Sequence, residues 1–413
     1  MKEMFRHSRW IVLLVALPIF AGCPLGTIHP QLVHLTPSWP VYFYAPGSQD
    51  SSSVWPQAMA VMENGDWVVA GRYTRGNTLS QSTRGVFVMR TDAQGQLLWW
   101  KNEALTVAIT GACRIREESD GGLTVVRGAT KVNGTSWMEN DAQLVIEHCD
   151  ADGGGLSYRV IDVGPKRSAG ALELLANGNF LVAGRSSGSD GYISEINDLG
   201  EVQWTATLAA AEWVEFAALA EVQVGYVAVG DRGLPGDAAG YEGYAVKVDQ
   251  QGETVWTQTY SLGHATTFSS VRETEDGGLI LAGLTNDSSY TVRSTCAVKT
   301  DELGDVEWTV SLGGNPGLNI PRVVENPGVG YLVGSGFYNT CLWQLDGAGQ
   351  TVWSTTLPVP LFFEEIAPLS DHGCVVVGFC APDAVGDTVF ETFMPVAQPM
   401  FLARFDATGQ LPQ

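Results

Sequence analysis

An all-β fold is what the sequence predicts: over residues 39–413, a seven-bladed β-propeller of four-stranded antiparallel blades, closed by the N-terminal strand. Three observations carry that prediction. A turn followed by an apolar run ending in glycine recurs along the chain. It alternates with an Asp-x-x-Gly turn that has a tryptophan four residues after the glycine. The strand missing from the last repeat is found ahead of the first.

The first pattern opens at Asn64-Gly65-Asp66-Trp67-Val68-Val69-Ala70-Gly71. It returns at Asp120-Gly121-Gly122-Leu123 to Gly128, Asn177-Gly178-Asn179-Phe180 to Gly184 and Val224-Gly225-Tyr226 to Gly230. Asp276 to Gly283, Val329 to Gly334 and Asp371 to Gly378 complete the series. Successive copies lie about 45 to 60 residues apart, the period of propeller blades rather than helical solenoids. Asp-Gly-Gly and Asn-Gly steps supply the positive-φ residues of a tight hairpin. The run that follows is apolar on both faces, as befits a strand covered on both sides.

The second pattern gives the other half of each repeat. An alternating strand such as Tyr244-Ala245-Val246-Lys247-Val248 leads into Asp249-Gln250-Gln251-Gly252, and Trp256 opens the next strand. Asp92 to Trp99, Asn197 to Trp204, Asp301 to Trp308 and Asp346 to Trp353 repeat it, and Asp150-Ala151-Asp152-Gly153 with Tyr158 is a degenerate copy. The aspartates read as caps of their own turn amides. With the stretch before each first turn, every repeat offers four strands, and no helical periodicity competes.

The ends of the sequence suggest closure. The last repeat reaches Asp406-Ala407-Thr408-Gly409 and stops at Gln413, where its tryptophan strand is due. Ser38-Trp39-Pro40-Val41-Tyr42-Phe43-Tyr44 supplies a tryptophan and alternation without a preceding turn. Pairing the two would remove open sheet edges.

Residues 1–22 read as an address rather than as part of the fold. Lys2, Arg6 and Arg9 precede an apolar stretch, Trp10 to Phe20, too short to span a bilayer, and Phe20-Ala21-Gly22-Cys23 forms a small-residue cleavage site. This resembles the lipobox of bacterial lipoproteins, which implies lipidation of Cys23, a tether over residues 23–38, and membrane attachment through the lipid alone. Pro24 after the cysteine resembles the signal that sends lipoproteins to the outer membrane. The expected location is therefore the cell envelope, on a side of the outer membrane that the sequence leaves open.

Net charge is −22, and the basic leader makes the remainder more acidic still. Such a body repels phosphate backbones, which argues against nucleic-acid partners and against docking on anionic head groups. Six cysteines follow Cys23, but Cys296 and Cys341 occupy one slot of different repeats and Cys374 stands where others carry Trp67, Phe180 or Tyr331. They read as small core residues more than as a disulfide framework. No Cys/His spacing fits a metal, Asp150 to Gly153 lacks the remaining ligands of a calcium loop, and no cofactor motif is present.

The Asp-Gly-Gly to Ala-Gly run and the Lys-x-Asp-x-x-Gly-x-x-x-Trp segment, best seen from Asp276 to Trp308, resemble degenerate propeller repeats of bacterial exported and lipid-anchored proteins. The second segment is also similar to quinoprotein-type repeats. Quinoprotein dehydrogenases need eight blades, adjacent cysteines and a calcium site, and the sequence has none of these. Sialidase-type propellers hold a carboxylate with three arginines. Arg72, Arg185 and Arg232 fall at or just after the end of the second strand of their repeats, a candidate anion site, although the Asp-box spacing and nucleophile pair of that class are missing. With no catalytic set, the sequence points to a non-enzymatic binding or scaffold module for an envelope protein or polysaccharide. The alternative is a glycan-active hydrolase or lyase working in the central mouth, marked by arginines beside a carboxylate pair.

Overall fold

The computed structural model describes residues 41–43, 52–75, 83–104, 108–131, 141–164, 168–186, 188–209, 212–287, 293–313, 320–336, 340–357, 361–380 and 400–412. The described residues all fall in one compact unit, Pro37–Gln413. The leader, Cys23, the tether and Trp39 lie outside the described residues.

The described part of this unit is all antiparallel meanders, joined at one point by a parallel bridge. β1 (Val41–Phe43) comes first, followed by a sheet of β2 (Ser52–Val61), β3 (Trp67–Arg75), β4 (Thr83–Thr91) and β5 (Leu97–Ala104). The next holds β6 (Ala108–Glu117), β7 (Leu123–Lys131), β8 (Asp141–Cys149) and β9 (Ser157–Gly164). A third holds β10 (Ala171–Leu174), β11 (Phe180–Arg185), β12 (Gly191–Ile196) and β13 (Val202–Leu208). Then come β14 (Val214–Glu221), β15 (Tyr226–Leu234), β16 (Asp237–Val248) and β17 (Thr254–Tyr260), and β18 (Ala265–Glu273), β19 (Leu279–Asn286), β20 (Arg293–Thr300) and β21 (Val306–Gly313). β22 (Arg322–Asn326), β23 (Gly330–Ser335), β24 (Cys341–Leu345) and β25 (Thr351–Thr356) make another sheet. β26 (Leu361–Pro368), β27 (Cys374–Cys380) and β28 (Met400–Phe405) pair with β1, in the register Val41↔Leu402, Tyr42↔Phe401 and Phe43↔Met400.

The expectation of seven separate four-stranded blades is corrected here. Five discrete four-stranded blades are present, and β14 to β21 form one eight-stranded sheet. The cause is local. Pro235-Gly236 closes a tight turn, with Gly236 at φ +78°, so Leu234 pairs with Asp237 and β16 is drawn out to 12 residues. The lengthened β16 then meets β18 in a parallel bridge, Tyr241↔Ala265, and the two meanders share one sheet. Counting turns finds repeats, but it is blind to a hydrogen bond between them.

The core lies between sheets, because each presents an apolar face to the next. Val68, Ala70 and Val88 pack on Cys113, Leu123 and Val125, while Leu332 and Leu342 pack on Phe363, Val376 and Phe401. Cys113, Cys149, Cys296, Cys341 and Cys374 are free thiols; burial pushes Cys113 and Cys149 up to about 11 and Cys296 up to about 12.

The tryptophan motif fastens each meander to the next. Trp99, Trp256, Trp308 and Trp353 donate their indole N–H to carbonyls of Ala151, Glu302, Gly347 and Ala407, each in the next Asp-x-x-Gly turn. The aspartate holds that turn in shape: the Asp249 carboxylate accepts from the Gln251 and Glu253 amides, both at 2.9 Å. At the opposite turns, Glu117, Glu221, Glu273 and Glu325 each accept a backbone N–H from the preceding repeat.

Candidate functional site in the channel mouth

The first strand of each meander, β2, β6, β10, β14, β18, β22 and β26, packs against the next, and β26 against β2, so these strands ring a channel. Most of them carry a β-bulge near the entry end. Register skips Gln57 in β2, residues 110–112 in β6, Ala217 in β14, Ser269 in β18 and Glu364 in β26. A bulge re-aims side chains, and Gln57, Ala112, Ala217, Ser269 and Glu364 all line one cavity of about 470 Å³.

The glycine that ends each apolar run explains how the bulges fit. Gly71, Gly230, Gly283 and Gly378 pair opposite them, and a Cβ there would collide with the carbonyl oxygen of Trp55, Glu215, Thr267 or Phe362. Only glycine permits that approach.

Four guanidinium groups meet in the cavity: Arg72 from β3, Arg114 from β6, Arg272 from β18 and Arg322 from β22. Arg114 pairs with Glu173 at 3.0 Å. Arg322 ties two bulges together, donating to the carbonyls of Glu364 at 2.9 Å and Ser269 at 3.2 Å. Arg272 donates to its own strand, at Val271 O, and has no carboxylate within ion-pair distance among the described residues. Burial lowers its pKa, and the neighbouring charges of Arg114 and Arg322 act the same way, against Glu365 and Glu173. Arg72 lies 5.4 Å from the centroid of the Trp55 ring.

Two adjacent carboxyls complete the polar lining. Glu364 makes no ion pair or side-chain hydrogen bond among the described residues, and burial pushes its carboxyl up to about 7 against the pull of Arg322 and Arg72. Glu365 accepts from the Ile366 amide at 3.2 Å. At the rim, Asp231 accepts a hydrogen bond from Thr267 at 3.0 Å, yet burial raises it to about 7 as well.

Of the three arginines singled out in the sequence, Arg72 lines this cavity and the other two do not. Arg185 pairs with Glu215 at 3.5 Å and lies over Trp213, beside Asp231. Arg232 pairs with Glu242 at 2.7 Å and covers Tyr244. Arg72 and Arg185 hold the first place after the repeat glycine and Arg232 the second, so strand alternation turns Arg232 to the other face. Arg114, Arg272, Arg322, Glu364 and Glu365 were not read from the sequence. Their signal was charge in first strands: Glu365, for one, stands where other repeats carry Ala58, Ala171 or Ala218.

Its fold is that of the β-propellers. Sqt1 from Chaetomium thermophilum shares 11% identity at a TM-score of 0.50, over 90% of this chain and 87% of that one. The Dos1 propeller shares 11% identity over 86% of this chain and 93% of its own, at a TM-score of 0.49. The β-propeller domain of the Trilobed protease from Pyrococcus furiosus shares 10% over 90% and 96%, at 0.44. No protein-family model and no curated protein sequence matches the chain.

Proposed function

We propose that the protein is a non-enzymatic binding module of the cell envelope whose channel mouth seats an anionic group carried by a protein or glycan partner. The convergence of Arg72, Arg114, Arg272 and Arg322 on one cavity supports this reading. Only Arg114 is paired with a carboxylate at ion-pair distance among the described residues. The rest leave a locally positive pocket in a chain of net charge −22, so an anion repelled by the net charge of the chain is attracted at this cavity. Attachment through Cys23 belongs to the same proposal. Wild type should take up labelled palmitate, and Cys23→Ser should not.

A ligand at a hundredfold excess over its Kd stabilises the folded state by about 2.7 kcal/mol. A thermal-shift screen of carboxylates and phosphates on the full chain should therefore find anions that raise the melting temperature. The same anions should leave an Arg72→Gln/Arg272→Gln variant unmoved. Equal shifts in both proteins would refute the seat.

A glycan-active hydrolase or lyase is a second reading, favoured by one observation: Glu364, beside Glu365, titrates near neutrality and can hold or release a proton. Release of reducing ends from a polysaccharide by wild type, lost in Glu364→Gln, would turn the assignment to it.

A further inference from the structure

The structure assigns a narrower ligand to this seat: we infer that the cavity takes a carboxylated saccharide of the uronic-acid type. The inference rests on the anion-seat reading above and adds the chemistry surrounding the anion.

A site built for a bare carboxylate or phosphate needs donors alone. This cavity holds guanidinium donors next to acceptors. Glu364 and Glu365 share one wall, with the Gln57 amide also lining the cavity, while the Ser269 and Ser270 hydroxyls donate to the carbonyls of Pro321 and Val323. Arg114 and Arg272 lie close enough to Glu365 to act on it electrostatically, so donor and acceptor sets are interleaved rather than at opposite ends. An acidic peptide supplies only acceptors from its side chains and would meet Glu364 and Glu365 as like charges. A sugar acid brings a carboxylate for the arginines and ring hydroxyls that donate to the carboxyls, matching both sets.

The remaining wall agrees. Trp55 and Phe379 line the same cavity, edge to face at 6.5 Å, and Phe362 stacks on Phe379 at 4.4 Å. An aromatic wall beside polar groups suits the C–H face of a pyranose ring, and a small oxyanion makes no use of it. The arginine cluster supplies the driving force for the acid group. Arg272 faces two like charges, Arg114 and Arg322, whose repulsion a bound carboxylate relieves.

Titration calorimetry on the full chain distinguishes these possibilities. The probes are trisaccharides of galacturonic and of glucuronic acid, the same sugars as methyl esters, and a hexaglutamate peptide. At least one uronate should bind, with its ester at least tenfold weaker, and both should bind more tightly than the peptide. Arg272→Gln should erase the preference for acid over ester.

The variant Glu365→Gln reads out the sign. A sugar that donates a hydroxyl hydrogen bond to this carboxylate loses affinity when it becomes an amide, whereas a plain anion gains from the removal of negative charge. Tighter hexaglutamate binding that depends on Arg272 would overturn the saccharide and leave the anion seat standing. Equal binding of acid and ester would overturn recognition of the carboxylate. Binding of no anionic probe would remove both. The acid–ester comparison on wild type decides the matter even if a variant fails to fold.

Discussion

At Gly349 the backbone turns with φ +78°, and a Cβ there would lie 2.7 Å from the Trp308 ring of the neighbouring sheet. Gly277 has almost the same φ, +81°, but a Cβ would meet nothing within 4 Å. The pair separates two costs that usually come together. Gly277→Ala should lose about 1–2 kcal/mol, the cost of placing an L-residue in the left-handed region. Gly349→Ala should lose that and about 1–3 kcal/mol more from overpacking against the indole. Urea denaturation of the two variants checks it, and equal losses would mean that the tryptophan gives way freely. The Asp-x-x-Gly-x-x-x-Trp spacing was legible in sequence for this physical reason. The same turn and the same ring must meet at one sheet boundary after another, so the residues repeat. Arg272 and Glu364 were not legible because a ligand site needs particular groups at particular repeats, and a pattern that averages over repeats hides them.

Strand β7 shows what one departure from the pattern does to an element. Its apolar run carries Arg127 where β3 carries Ala70, and the guanidinium is wholly buried. Arg127 pairs with Glu147 on β8 at 2.9 and 3.1 Å and donates to the carbonyls of Gly71 and Phe87 in the adjoining sheet. Every donor of this residue is directed at an acceptor, which is how a buried charge is tolerated. Removing the carboxylate alone, as in Glu147→Ala, should destabilise the protein by about 3–5 kcal/mol, because the arginine stays buried and unpaired. Replacing both residues, Arg127→Met with Glu147→Leu, should cost less than the single change, and chemical denaturation of both proteins gives the comparison. β16 illustrates the opposite kind of departure. Nothing in its own composition announces that it will join two meanders; the tight turn at Pro235-Gly236 decides it, through a bridge to a strand some distance along the chain. Sequence repeats therefore located the strands well and the sheet boundaries less well.

For the whole molecule, an acidic body with buried carboxyls has a pH dependence of definite sign. The carboxyl of Glu364 has an ordinary value of 4.5 and stands at about 7 in the fold. A raised folded-state value means that the folded state binds the proton more tightly, so its stabilising contribution is complete below 4.5 and is lost as pH rises through 7. Glu364→Gln should match wild type near pH 4.5 and exceed it at pH 8 by about 3 kcal/mol, the shift converted at 1.36 kcal/mol per unit. Melting curves at the two pH values test it, and a variant less stable than wild type at pH 8 would contradict it. Asp231 shifts in the same direction, so wild type itself should be more stable at mildly acidic pH than at alkaline pH. The pairing of β1 with β28 bears on how such a molecule is made. Every other described sheet can assemble from contiguous chain as it emerges, but Tyr42 waits for Phe401, and the entropic cost of closing so long a loop falls on a single step. During synthesis the incomplete sheet offers a bare edge to any neighbouring nascent chain. Crowding should therefore lower the yield at that step before any other, and a holdase that shields strand edges would act there.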